Sequence, residues 1–531
     1  MTGLGTLLRL ALRRGRWFYL AWILALTAVV PLTAAAYEQI IDPANADLLI
    51  ATMTNNPTMR AMLGPPLDLT TAGGFTVWRV GTFVAAMAGI MAVLGVVRST
   101  RAEEEDGRTE LLRSGSTGRH APLVAGVLLA LLACATLGVL VAVAMSAVGA
   151  PVAGSVAFGA GLALVGATFA GVAAVAAQLT ASARTASALG LWTLAAAYTL
   201  RAVADGSGDD AVRQLAWGSP VQWMALARPY ADERWWVLAL PAVATLLLVG
   251  LAVVLEARRD HGAGLWAARR GRGEAAASFA SAGALARRLQ RGQVIGWTIG
   301  LLLFALAMGS LSTTFDDMLE QVPQLRAIFE RAGGGAEQLV EAFFVAMLSI
   351  VAVLVAVVAV QLFSRLAAEE QRGHAELVLS TGATRGRLLG AYLLVAALAP
   401  VLLLVAVGAV LSLNQARTTG EWGVVGEVAG AGAALAPGGL VVLGIAVLLH
   451  GWAPRLAWLT WIVVGWSLAM VWVGAALDLP EWLTGLTPWS PLPQLPVEKM
   501  DWPAVLGMLG LAVVLLGLGA VGYRRRDISG A

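Results

Sequence analysis

The chain has 531 residues, of which 58 % are hydrophobic and 13 % charged, with a formal net charge of +3. Soluble domains carry about 25 % charged residues, and a soluble chain of this length could not keep so much apolar surface from water. The composition points to an all-α polytopic membrane protein. The alternating strands of a membrane barrel are absent, and the slight positive balance gives no reason to expect nucleic acid.

The chain opens with MTGLGTLLRLALRRGR, basic and amphipathic. The apolar run behind it is long enough to span, so no cleavable signal peptide is read here. Uncharged runs of spanning length follow at about 17–37, 80–97, 121–148, 151–181, 185–203 and 235–255. No charge occurs between Ala121 and Ala183, and the Gly149-Ala150-Pro151 break splits this stretch into a hairpin. A second series lies at about 293–315, 342–364, 388–413, 428–450, 456–477 and 502–523, and Pro400 predicts a kink in its third member. The expected architecture is two homologous six-helix bundles with twelve transmembrane helices. The expected regions are a first half over 1–256, a basic linker with a second elbow helix over 257–292, and a second half over 293–531.

The linker end LARRLQRGQVIGW resembles LALRRGRWFYLAW near the start, with Arg14-Gly15 opposite Arg291-Gly292. Both predict a short basic elbow helix on the inner membrane surface, turning into the first span of its half. Arginine distribution sets the orientation. With both termini in the cytoplasm, Arg258, Arg259, Arg269, Arg270, Arg272, Arg287, Arg288 and Arg291 fall inside, as does Arg524-Arg525-Arg526. The expected location is the inner (plasma) membrane, multi-pass.

One polar loop occurs twice. Residues 98–119 read RSTRAEEEDGRTELLRSGSTGR, and residues 365–387 read RLAAEEQRGHAELVLSTGATRGR. Glu103, Glu104, Gly107, Glu110 and Leu111 match Glu369, Glu370, Gly373, Glu376 and Leu377 at one offset, which also relates Pro57, Arg60 and Ala61 to Pro323, Arg326 and Ala327. Each loop follows the second span of its half, on the cytoplasmic side. Thr100 and Glu103 have capping-box spacing, and Gly115 and Gly382 are expected helix stops. A short helix along the membrane, with acids on one face and leucines on the other, can dock on a soluble partner. The bland alternative is a solvated loop, but two copies imply a partner with two equivalent sites. On the opposite side, Trp217-Gly218-Ser219-Pro220 and Pro488-Trp489-Ser490-Pro491 precede the last spans. They are read either as re-entrant or lid structure or as an ordinary aromatic belt with turns.

Absences bear on mechanism. A Walker-type phosphate loop needs a lysine. Lys499 is the only one, in VEKMDW on the outer side, so any ATP must be bound by another polypeptide. No Asp, Glu, Lys, Arg or His lies near the centre of a predicted span, and Arg79, Arg201, Glu421 and Glu427 are placed at edges. Ion coupling, which needs such groups, is poorly supplied. No nucleophile–base pair suggests an enzyme. The single cysteine, Cys134, excludes an internal disulfide, and the four histidines, His120, His261, His374 and His450, are read as interfacial or loop residues. Oily spans predict an apolar or amphiphilic cargo. Met87, Met91, Trp192, Phe344, Met347, Trp461 and Met470 are candidate substrate-cavity residues, each with lipid-facing or packing roles as the alternative.

The loop motifs AEEEDGRTELLRSGSTGR and AAEEQRGHAELVLSTGATRGR, six spans per half and a basic start resemble the permease subunits of type-2 ABC exporters. More narrowly, the chain resembles duplicated actinobacterial permeases for polyketide, tetronasin-like antibiotics and multiple drugs. That resemblance implies a separate ATPase used as two copies, with ATP and Mg bound there and no cofactor in this chain. It also implies a coupling-helix role for Glu103, Glu104, Gly107, Glu110, Leu111, Glu369, Glu370, Gly373, Glu376 and Leu377. The two loops differ at Asp106 and Arg108 against Arg372 and His374. The alternatives are an ion-driven secondary transporter and a non-transporting membrane sensor of antibiotics.

Overall fold

A computed structural model describes residues 2–37, 57–113, 117–266, 274, 279, 281–321, 336–473 and 481–527. Among these the chain is helical throughout, without strands. It divides into two compact units, Met1–Gly271 and Arg272–Ala531. Among the described residues eleven helices are long and apolar enough to cross a membrane. The predicted span at 185–203 is also a helix, Ala183–Gly206, but it is not among the eleven. Arg184, Arg201 and Asp205 dilute its apolar character.

In the first unit the long helices are Leu4–Ala35, Thr82–Ser99, Ala121–Ala147, Val152–Leu179, Ala183–Gly206 and Ala239–Arg258. Val152–Leu179 is central and packs against the second, third, fifth and sixth of these. In the second unit Gly423–Trp452 packs against Ala336–Gln371, Arg385–Leu411, Leu459–Val473 and Trp502–Arg525. In both helices 72 % of the most apolar window is buried. Small residues allow this burial, because bilayer helices associate by close packing rather than by expelling water. A Cβ on Gly138 would stand 2.4 Å from the Gly159 carbonyl oxygen, and one on Gly408 would stand 2.4 Å from that of Val428. Backbone meets backbone at the same hairpin in each unit.

The separate elbow helices are not seen. Leu4–Ala35 and Ala282–Gln321 are each one uninterrupted helix. No proline separates the basic turns from the apolar ones, and Gly15 and Gly292 stay within the helices, so the hydrogen-bond ladder continues. A 32-residue helix is about 48 Å long, well beyond a hydrocarbon core of about 30 Å. Its basic turns therefore extend past the apolar layer. Arg385–Leu411 likewise runs unbroken through Pro400. The Gly149-Ala150-Pro151 break does separate two helices, with Gly149 left-handed at φ 89°.

The segments before the last helices fold back on their own units. The Ser219 hydroxyl donates to Ala197 O at 2.7 Å, and Trp489 Nε1 donates to Leu435 O at 3.1 Å. Arg228, Tyr230 and Asp232 all have positive φ, an unusual backbone for side chains with a Cβ. Tyr230 is held there by a 2.9 Å hydrogen bond with Ser155 and by close contact with Gly73 and Gly154.

Candidate functional site: two clasped polar loops

The repeated loops take their shape from one glycine each. Thr82–Ser99 gives way to two short helices, Arg101–Glu105 and Arg108–Arg113, separated by Gly107 at φ 72°. In the second unit Ala336–Gln371 is followed by His374–Leu379, and Gly373 sits between them at φ 73°. The motif glycine therefore occupies a left-handed position, which disfavours a Cβ. The residues two places on, Thr109 and Ala375, turn inward and are buried.

The predicted capping box is not formed. Thr100 donates its hydroxyl to Val96 O at 2.6 Å and makes no side-chain cap. A hydroxyl this close to the preceding turn satisfies itself there. Gly382 is left-handed at φ 82° three residues beyond its helix. Gly115, Pro323, Arg326, Ala327 and the Leu111 side chain lie outside the described residues.

The second glutamate of each motif points into its own unit. The Glu104 side chain is 7 % exposed. It accepts from Arg259 Nη1 and Nη2 at 2.7 Å each, from Arg101 Nη1 at 2.8 Å and from the Gly262 amide at 2.7 Å. Glu104 lies beyond the apolar run that ends at Val97. Burial alone would raise its pKa, but the Arg259 and Gly262 hydrogen bonds outweigh burial and hold it down to about 2. Arg259 also donates Nε to Gln178 Oε1 at 2.7 Å.

Glu370 repeats the plan with fewer donors. Its carboxylate meets Arg526 Nη2 and, at 3.3 Å, His450 Nε2. Arg526 Nη2 also stands 3.0 Å from His450 Nε2. The His450 ring lies edge-on to Phe363 at 5.4 Å and stacks on Tyr523 at 6.0 Å. Each clasping arginine is the residue that ends the last helix of its unit, Arg259 after Ala239–Arg258 and Arg526 after Trp502–Arg525. The clasps join residues 155 and 156 positions apart.

A second arginine in each unit closes the same corner. Arg119 donates to the carbonyls of Glu256, Ala257 and Arg259, and Arg385 donates to those of Arg524 and Arg526. The last carbonyls of a helix lack partners within it and carry its negative end, so a guanidinium suits them.

Among the other motif acids Glu369 is as buried as Glu370, whereas Glu103 stands at the rim and Glu110 and Glu376 outside. Glu103 pairs with Arg14 at 2.8 Å and Arg108 at 3.0 Å, and Glu369 pairs with Arg365 at 2.7 Å and His374 at 2.9 Å. Glu110 and Glu376 are exposed, and Leu377 is 68 % exposed. Glu105, outside the motif, accepts from the Ala183 amide at the start of Ala183–Gly206 at 2.9 Å.

The histidines are less peripheral than loop residues would be. Each of the four faces a glutamate: His120 with Glu256, His261 with Glu104, His374 with Glu369 and His450 with Glu370. Arg259, Arg526, Gln178, His450, Arg119 and Arg385 are the participants that the motif did not reveal. The available signal was the matched places of the four arginines, after the last helix and before the third.

The candidate cavity residues divide. Met91 and Phe344 are buried, whereas Trp192 and Trp461 are 62 % and 42 % exposed. Met87, Met347 and Met470 are intermediate. At the end of the first unit away from its loop, Arg201 is fully buried. It donates to Ala61 O and to Met62 O and lies 3.7 Å from Asp205. Gln222 donates to Asp205 at 3.1 Å. Arg201, near the end of its helix, is thus an internal anchor for the helix Pro57–Leu63.

A family model described as "Multidrug efflux system permease Rv1217c, C-terminal domain" matches residues 279–524. A Mycobacterium tuberculosis (strain ATCC 25618 / H37Rv) protein described as multidrug efflux system permease protein Rv1217c is 36 % identical over 534 residues. The alignment covers 99 % of this chain and 95 % of that protein, so it includes both loops. The chain is a multi-pass membrane protein and belongs to the family of multidrug efflux system permeases.

Proposed function

We propose that this chain is the transmembrane subunit of an ATP-driven type-2 ABC exporter, a duplicated twelve-helix permease whose two loops dock two copies of a separate ATPase. The single observation that carries this reading is the paired clasp. In each unit an arginine ending the last helix grips the second glutamate of the loop, at separations of 155 and 156 residues. Two loops of one build suit a partner that presents one docking surface twice. The absence of a Walker lysine in the sequence agrees with fuel bound elsewhere.

The clasp also divides the labour within the loop. Glu104 and Glu370 tie it to the last helix, so a push on the loop reaches the bundle. Glu110, Glu376 and Leu377 are free to contact the ATPase. The loops and both termini then face the cytoplasm, and the cargo is an apolar or amphiphilic compound leaving the cell. The ATPase carries the ATP and Mg.

The test is transport by inverted vesicles that hold this chain and a candidate partner ABC ATPase. ATP-dependent uptake of a hydrophobic dye, lost when the ATPase is catalytically dead, is the expected result. Uptake driven by a proton gradient without ATP would replace this reading with an ion-driven one.

A further inference from the structure

At the loop end of the first unit, Leu4–Ala35, the end of Thr82–Ser99 and the start of Ala121–Ala147 line a cleft with a cavity volume of about 100 Å³ that opens to solvent. One wall is apolar, made by Leu7, Leu10, Phe18, Leu123 and Leu129. The other is charged and includes Arg14, Arg98, Glu103, Glu104 and Arg259.

The charges on that wall do not all cancel. Glu103 is taken by Arg14 and Arg108, Glu104 by Arg101 and Arg259, and Glu256 by His120. Arg98 has no carboxylate partner among the described residues, and its guanidinium stands over the Phe18 ring, 5.6 Å from the centroid. Tyr19 lines the same cleft and is 6 % exposed. Its hydroxyl is buried without a hydrogen-bond partner among the described residues. A buried donor without an acceptor is costly, so such a group marks a place where an acceptor belongs. The hydroxyl lies against Gly95, one helical turn before Arg98, where an added Cβ would be 2.1 Å away. Cation and hydroxyl therefore share one face of the cleft.

The second unit fills the matching place with its own side chains. The offset that aligns the two loops places Gln361 opposite Gly95 and Ser364 opposite Arg98. Gln361 accepts from Gln293 at 2.8 Å and from Trp297 at 3.1 Å. No surplus cation and no glycine gap remain there.

We propose that the first unit's cleft binds one anionic lipid from the adjoining leaflet, its headgroup between Arg98 and the Tyr19 hydroxyl and an acyl chain along the Leu7–Phe18–Leu129 wall. The bilayer is the source because the same helix marks the depth of the headgroups. Arg9, Arg13, Arg14 and Arg16 precede its apolar run. Arg16 lies over Trp17, which is 69 % exposed, and Leu20 and Leu24 beyond it are half exposed. Basic residues and tryptophan at the end of an apolar run belong at the interface, where anionic lipids concentrate around cations. The assignment rests on the exporter reading only for which leaflet is meant, since lipid retention is read without ATP or ATPase.

The full chain is purified from bilayers holding equal phosphatidylglycerol and phosphatidylcholine, and retained lipid is counted by native mass spectrometry. One phosphatidylglycerol per chain is expected. Arg98→Gln should lower its retention about fivefold, the weight of one basic residue at a membrane surface. Tyr19→Phe, which keeps the ring in place, should lower it less, and Ser364→Ala in the second unit not at all. Thermal melting of each variant separates lost binding from lost folding. Equal retention of the two lipids, or full retention in both first-unit variants, overturns the proposal. Saturation by soluble dodecyl phosphate without phosphatidylglycerol retention overturns the lipid source and makes the cleft a site for free anionic amphiphiles.

Discussion

The two loops share a plan but not a degree of commitment. In the first unit the buried glutamate has four donors, two of them from one guanidinium in a fork. In the second, one arginine nitrogen, a histidine and the Tyr523 hydroxyl surround Glu370, but no guanidinium forks onto it and Oε1 has no partner of good geometry among the described residues. Bidentate arginine–carboxylate pairing is the stronger arrangement. The comparison teaches that the geometry of the clasp is shared while its strength is not, so the first loop is the stiffer link and the second the more yielding one.

The largest effect that tests this difference comes from removing the acid. Glu104→Ala strands Arg101 and Arg259, both nearly buried, and should cost about 3–5 kcal/mol. Glu370→Ala leaves Arg526, which is 18 % exposed, to find water, and the loss should be visibly smaller. Thermal melting of the solubilised chain reads both, and equal losses would break the comparison.

Next comes the backbone. Gly107→Ala and Gly373→Ala each place a Cβ on a left-handed residue, at about 1 kcal/mol. A Cβ at either position meets nothing within 4 Å, so the two losses should match. Unequal losses would show that the glycines serve different contacts. Arg119→Ala and Arg385→Ala each remove carbonyl contacts at the end of the last helix, at about 1 kcal/mol per hydrogen bond. Arg119 reaches three carbonyls and Arg385 two, so the first-unit change should be the larger. Hydrogen exchange of the amides near Arg259 and Arg526 would rank them. The smallest effect on stability is at Leu377, 68 % exposed. Leu377→Ser should move stability by less than about 0.5 kcal/mol while lowering ATPase stimulation.

Much of this was legible in the sequence. Charge-free runs located the spans because a bilayer demands long apolar helices whatever their neighbours. The Gly149–Pro151 turn was legible for the same local reason. The two loops were found through their repetition, but their inner construction was not. Glu104 and Glu110 look alike in sequence, yet one is buried and the other exposed. What separates them is an arginine 155 residues away, and no local pattern encodes that distance. Arg259 and Arg526 read as ordinary inward-facing positive charges. The elbows were misjudged because basic composition says where a segment sits, not whether its helix breaks. Arg201 does stand near the end of its helix, as its place at the edge of a span implies, but the Ala61 and Met62 carbonyls that hold it come from a distant stretch.

The central claim is that the exposed faces of both loops receive the ATPase while their buried faces hold the bundle. Its most direct test is the double variant Glu110→Arg with Glu376→Arg, assayed for ATPase stimulation in the reconstituted complex. The account predicts an unchanged melting temperature with stimulation abolished. Full stimulation and full efflux from a correctly folded double variant would contradict it.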